Sequence, residues 1–294
     1  MLKLSKIHVS LVSTLGLMVA TQLGLGIYNG FQPRSDERGA KAFGLAVPQE
    51  KHFQVGSVKE LDRVFSNSDY TLNKASHKRE VPRLYLAKLP KDMKNKAKSS
   101  NGTFIQVLLP HILKVNEKIL TDRKRLVDLK EQLKTRHLRH TEKMWLMKLA
   151  SDYRCKSTKI DALLMHVDII PPSLALAQAT LETGGGRSPA ALSKNSTFGH
   201  MTRNNKVMKF DSLQQNVEAY VHNLNRHFAY ASFRKVRAEL RAKNKPLCGI
   251  KLAACLDKYS IRKAAYIQDV QGLIHKRGLD KYDVVTLEQV HLKP

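Results

Sequence analysis

Cysteine is scarce in this chain: its 294 residues include only Cys155, Cys248 and Cys255. An odd number with no C-x-x-C pair signals neither a disulfide framework nor a zinc site. On one continuous helix, Cys248 and Cys255 would stand about 10 Å apart, beyond disulfide reach, so free thiols are expected. Aromatic residues make up only 6% of the chain, with Trp145 the single Trp. A core short of aromatics must be filled by Leu, Ile, Val, Ala and Met, which leans towards helices rather than sheet. Acidic residues are also few, 25 against 51 Lys and Arg, for a net charge of +26. There is no βαβ alternation, internal repeat, phosphate-binding loop or G-x-S-x-G elbow, which argues against nucleotide-binding α/β folds and serine-esterase chemistry. His166, His222 and His227 are scattered, with no H-E-x-x-H or paired spacing, so neither a metal nor a cofactor is expected.

A hydrophobic fraction of 42% is that of a globular protein able to bury a core. Half of the charge excess lies in residues 71–150, where 20 Lys and Arg face 7 Asp and Glu. Such a surplus attracts polyanions or an anionic membrane surface. A nucleic-acid partner is not expected, because no reading motif accompanies the charge and the chain opens like an exported protein.

That opening, MLKLSKIHVSLVSTLGLMVATQLGLGIYNG, places Lys3 and Lys6 before an apolar stretch running from Ile7 to Tyr28. Residues 1–28 therefore read as a signal peptide or a membrane anchor, and the expected location is the periplasm or cell envelope. Residues 29–100 mix charge, Ser, Gly and Pro and read as a basic linker with short ordered pieces such as Val81 to Leu86. Residues 101–157 carry apolar spacing near 3.5 and read as a helical hairpin. Its outer face would be lined by Lys124, Arg125, Lys130, Lys134, Arg136 and Arg139. A domain of shorter, more buried helices follows over 158–284, with a small β-hairpin around Asn204 and Asn205, and 285–294 form a tail.

Within that domain one helix stands out, in LALAQATLETGGG. Pro171 and Pro172 suit its first turn and Gly184 to Gly186 its end. Its residues are apolar on almost every side, with Gln178 and Glu182 forming a single polar line at i and i+4. A carboxylate at the negative end of a helix dipole, partly removed from water, has a raised pKa and suits a general acid at neutral pH. The same residue is also placed to pair with Arg187.

The stretch ALAQATLETGGGRSPAALSKNSTFG resembles the bacterial glucosaminidase pattern A-Q-A-x-x-E-S-G-W-G-x-S followed by N-N-x-F-G. Gln178, Glu182, Gly184, Gly186, Ser188, Asn195, Phe198 and Gly199 match at the right spacing. The resemblance, to the Bax-type branch of that family, extends over roughly residues 80 to 280, through VPRLYLAKLP, LLPHILKVNEKIL and FDSLQQNVEAYVHNLNRHF. It implies a mainly α, lysozyme-like (α+β) fold with a small β-lobe that cleaves the β-1,4 glycan of peptidoglycan after N-acetylglucosamine. Glu182 would be the proton donor, and Gln178, Asn195, Phe198, Tyr259 and Tyr266 would bind substrate. The pattern departs at Gly185 and Met201, where Trp is usual, and at Ser196, where a second Asn is usual.

Glycoside hydrolysis ordinarily uses two carboxyl groups, about 5 Å apart for retention or roughly 6.5–9.5 Å for inversion. No Asp or Glu lies between Thr183 and Phe210. Asp211 is the nearest candidate for a second acid, although its place in an F-D-S turn suits a helix cap better than a base. With one acid, a 2-acetamido sugar can supply its own carbonyl oxygen as nucleophile, and Tyr259 or Tyr266 would orient it. The competing reading is a non-catalytic protein that binds glycan or scaffolds other enzymes of the cell envelope.

Overall fold

The computed structural model describes residues 49–95 and 102–289. The segment expected to span or enter a membrane, residues 1–28, lies outside them. Among the described residues no helix is long and apolar enough to cross a membrane.

The architecture is mainly helical. Before the long helix come β1 (Lys51–Phe53), α1 (Val58–Asn67), α2 (Leu72–Lys78), β2 (Glu80–Val81) and β3 (Leu84–Leu86). The helix α3 (Gly102–Gln132) and its partner α4 (His140–Asp152) form the hairpin. The remaining helices are α5 (Ile160–His166), α6 (Pro172–Thr183), α7 (Pro189–Lys194), α8 (Leu213–Arg226), α9 (Ala231–Ala242), α10 (Gly249–Ala253) and α11 (Ala264–Arg277). A short strand, β4 (Thr286–Leu287), closes the described chain. Among the described residues strands pair only as two parallel couples, β1 with β3 and β2 with β4. The expected β-hairpin is reduced to one antiparallel bridge, Met201 to Val207, with Asn205 in the left-handed conformation at its turn.

Helix α6 is the axis of the core. Its apolar circumference cannot face water, and α3, α10, α11 and the 3-10 turn Leu279–Tyr282 enclose it. Every residue from Pro172 to Thr180 is buried. Pro171 at its N-cap carries no side-chain donor or acceptor, so the cap arrives from afar: Asp283 accepts from the Ser173 amide (2.8 Å) and hydroxyl (2.8 Å). A carboxylate there also complements the helix dipole.

The stretch expected to be a linker contributes more than short pieces. Leu61, Phe65, Val81, Leu84 and Leu86 from it are buried in the common core. One contact explains how it is tied to α3. Pro110 lies inside that helix and has no N–H to offer the Gln106 carbonyl four residues earlier. The Tyr70 hydroxyl donates to that freed carbonyl at 3.1 Å, and the Gln106 amide donates back to the Tyr70 carbonyl at 3.0 Å. The start of the expected tail is likewise ordered, since Glu80 and Val81 pair with Thr286 and Leu287.

Helix α3 is roughly 46 Å long. Its first half is buried at almost every position, while its second half keeps only Ile119, Leu126 and Leu129 inside. The basic face expected on the hairpin is largely neutralised in place. Lys124 pairs with Asp128, Lys130 with Asp161, Lys134 with Glu131, and Arg136 and Arg139 both with Glu142. Arg125 lies over the Trp145 ring, 4.1 Å from its centre.

Deep between α5, α8 and α9, the buried Arg237 donates to the carbonyls of Met165, His166, Asp168 and Ile169 and to the Asn225 side chain. Asp168 is held in turn by Arg241, with Arg123 alongside at 3.5 Å. Burial works to raise the Asp168 pKa, but the Arg241 hydrogen bond and the charges of Arg237, Arg123 and Arg241 hold it below the ordinary value. This knot fixes the loop that leads into α6. The three cysteines are free and half-buried.

Candidate active site

The last turn of α6 carries Glu182, half-buried where its α6 neighbours from Pro172 to Thr180 are closed off. The chain then leaves through Gly184, Gly185 and Gly186 with φ of 61°, 79° and 83°, a left-handed run that favours glycine. The turn is tied down by Gly185 N–H to the Thr180 carbonyl (2.9 Å) and Gly186 N–H to the Thr183 hydroxyl (2.8 Å). Gly186 also packs directly on Phe104 of α3, where an added Cβ would lie 2.5 Å from a ring carbon. The position where the resembling family usually has Trp, Gly185, is thus a buried, left-handed corner.

Burial raises the Glu182 pKa above its ordinary value, and the hydrogen bond from Tyr266 works against that rise. Among the described residues no second carboxylate is among the groups that shift it. The Tyr266 hydroxyl donates to Glu182 Oε1 at 2.9 Å. It accepts from Gln178 Nε2 at 3.0 Å, and Gln178 Oε1 accepts from the Tyr220 hydroxyl at 2.7 Å. Burial lifts the phenols of Tyr220, Tyr259 and Tyr266 well above their usual range, so all three stay protonated at neutral pH.

Around this line the aromatic rings stack. Phe198 lies on Tyr220 at 3.9 Å between centres with planes 10° apart, and Tyr259 lies on Tyr266 at 5.4 Å and 17°. The Tyr259 hydroxyl donates to the Phe198 carbonyl at 3.2 Å. Glu182, Gln178, Tyr266, Tyr259 and Phe198 are therefore brought together.

Several expected roles are relocated. Gln178 is fully buried, with its amide engaged at both ends between Tyr220 and Tyr266. Phe198 and Tyr259 are buried as well, and line the support rather than an open groove. The Tyr259 and Tyr266 hydroxyls donate to the Phe198 carbonyl and to Glu182 Oε1. Asn195 sits in the left-handed conformation at the C-cap of α7 and gives its amide to the Phe210 carbonyl at 3.0 Å. Asp211 is exposed, and the cap of α8 is Ser212, whose hydroxyl accepts from the Gln215 amide. His200 in the reduced β-lobe is pushed by burial down to about 4 and is neutral.

Tyr220 is the member of the cluster that reading the sequence missed. It falls on the apolar stripe Leu213, Val217, Val221, Leu224 of α8, and a tyrosine on a buried stripe needs a partner for its hydroxyl. That requirement was the available signal.

A single half-buried acid of raised pKa, backed by buried phenols, has the chemistry of a proton donor set into a helical domain. The family model for glucosaminidase (mannosyl-glycoprotein endo-beta-N-acetylglucosaminidase) matches residues 160–279, which include this cluster. The chain is also 31% identical over 194 residues to Protein bax of Escherichia coli (strain K12), covering 58% of this chain and 70% of that one. It belongs to the Bax-like glucosaminidase family of bacteria. No solved structure matches it.

Proposed function

We propose that this protein is a glycoside hydrolase of peptidoglycan that cleaves the β-1,4 bond after N-acetylglucosamine, with Glu182 as the general acid. The observation that carries the reading is the setting of Glu182: its pKa is raised by burial, it is addressed by Tyr266, and among the described residues no second carboxylate is among the groups that shift it. A lone acid fits the substrate-assisted route. The acetamido carbonyl oxygen bonds to the anomeric carbon as the glycosidic C–O bond breaks, and the Glu182 proton passes to the leaving oxygen. Water then opens the cyclic intermediate, giving its proton back to Glu182, with net retention at the anomeric centre.

A zymogram on purified peptidoglycan tests this, comparing the parent with Glu182→Gln. Clearing by the parent alone supports the acid; equal clearing by both would remove Glu182 from the mechanism. Direct inversion in the product would exclude substrate assistance. The second reading, a glycan-binding or scaffolding protein, is favoured by the same missing acid and predicts clearing by neither with peptidoglycan still retained. We place the protein in the cell envelope, held by residues 7–28, and cell fractionation of the full chain decides it. Contact of the hairpin with anionic lipid belongs to the same proposal, weakened by the ion pairs that neutralise much of its basic face.

A further inference from the structure

The hydrogen-bonded line behind Glu182 has a direction, and the direction begins at Tyr220. A carboxamide has one end that accepts and one that donates, and can be turned either way between two hydroxyls. Here the accepting end, Gln178 Oε1, faces Tyr220 and the donating end, Nε2, faces Tyr266. Reversed, the amide would accept the single Tyr266 proton and leave the phenol oxygen facing the ionised Glu182 oxygen at 2.9 Å. It would also strand the proton of Tyr220, a hydroxyl that is fully buried under Phe198. Stranding a buried donor is costly, so Tyr220 selects the observed orientation.

We propose that Tyr220 is a positioning residue for the acid: by fixing the amide of Gln178 it obliges Tyr266 to donate to Glu182 Oε1, so that the acid proton resides on Oε2. This rests on Glu182 being the general acid. With Oε1 always an acceptor, the neutral carboxyl carries its proton on the oxygen not tied to Tyr266, and proton delivery needs no rotation of the side chain. At the turn that follows this carboxyl, the Arg187 guanidinium lies beside Gly184. Tyr266 comes from α11, Tyr259 from the turn before it, and Tyr220 acts only through Gln178; α3 contributes the apolar Phe104 at the adjoining turn. Among the described residues no Lys, Arg, His or second acid shifts Glu182.

The test is Tyr220→Phe, which removes the hydroxyl and keeps the ring that stacks on Phe198. Freed from Tyr220, the amide turns, Tyr266 donates to Glu182 for only part of the time, and the Glu182 pKa rises. A general acid works while protonated, so the falling high-pH limb of activity moves to higher pH. The expected kcat loss is roughly three- to tenfold, the range a single neutral hydrogen bond supports, with KM within about twofold. Gln178→Met, of similar size, leaves no amide to take the Tyr266 proton, so the Glu182 titration stays close to the parent's and Tyr220→Phe no longer moves it. Tyr266→Phe shifts the limb at least as far, and Tyr220→Phe adds nothing on top of it, because both act along one path.

The Glu182 pKa is read directly as well, from the side-chain carboxyl carbon by NMR, assigned by its loss in Glu182→Gln. An unmoved titration in Tyr220→Phe, a raised KM with an unmoved pH profile, or additive shifts with Tyr266→Phe would each overturn the proposal. Glu182→Gln that still cleaves peptidoglycan would overturn the acid assignment alone. The carboxyl titrations would still decide whether Tyr220 acts on Glu182.

Discussion

Replacing Gly186 by Ala adds one methyl group at the turn that follows Glu182, and the structure gives its effect in two parts. The first is conformational: at φ 83° an L-residue is strained, at about 1–2 kcal/mol. The second is steric. The new Cβ would stand 2.5 Å and 2.9 Å from two carbons of the Phe104 ring, itself 1% exposed and unable to withdraw into solvent. Overpacking of this kind costs about 1–3 kcal/mol. The two together come to about 2–5 kcal/mol, a large part of the roughly 5–15 kcal/mol that holds a domain folded. For an m-value of about 2–3 kcal/mol/M in urea, the unfolding midpoint falls by roughly 1–2 M. Phe104→Leu in the same chain removes the ring and recovers the steric part, leaving the backbone strain. The pair therefore couples by about 1–3 kcal/mol in a double-mutant cycle. A midpoint for Gly186→Ala unchanged from the parent, or strict additivity with Phe104→Leu, would show that the turn is not pressed on α3 as described.

Glu182→Gln is expected to match the parent in Tm at low pH and to exceed it as pH rises above 4.5, the ordinary value. A carboxyl whose folded pKa is raised contributes stability only while protonated in both states; a Tm difference that does not change with pH refutes this. Asp168 has the opposite sign: its folded pKa is lowered, so its contribution is complete above 3.8 and lost as pH falls below that value. Asp168→Asn should therefore flatten the acid side of the stability profile, as followed by circular dichroism. Arg237→Met takes one donor from each of four carbonyls and from Asn225 Oδ1, of which only the Asp168 and His166 carbonyls keep another, and should cost about 3–5 kcal/mol in urea unfolding; a loss under about 1 kcal/mol would deny Arg237 its central place. Tyr259→Phe loses one hydrogen bond to a carbonyl and should cost about 0.5–1.5 kcal/mol of stability without moving the pH profile, in contrast to Tyr266→Phe.

Much of the candidate site was legible because it is written in local chemistry. Two prolines and three glycines delimit α6 wherever the chain happens to run, and a helix apolar on every side must be enclosed. Glu182 at its end follows from the letters alone, as does the absence of any acid between Thr183 and Phe210. The helical character of the chain was readable from its shortage of aromatics and its apolar spacing. What remained hidden depends on partners far away in sequence. Gln178 stood as a substrate ligand through the family resemblance; only the packing of α8 and α11 brings the Tyr220 and Tyr266 hydroxyls to its amide. The residues before α3 looked like linker because their charge masks a few apolar side chains, and it is the carbonyl freed by Pro110 that gives Tyr70 its place. The basic face of the hairpin was countable, but whether each Lys or Arg meets an acid is a question of register between helices.

The sequence alone determined which helix would carry the acid, where that helix must stop, and that the acid would stand without a nearby carboxylate in the chain. The tertiary structure decided what stands behind the acid: Tyr266, Gln178 and Tyr220, from three different helices, and Asp283 as the distant cap of α6. The physical reason is that propensities and caps act over a few residues, whereas the direction of a buried hydrogen bond is set by whichever donor the fold brings to it.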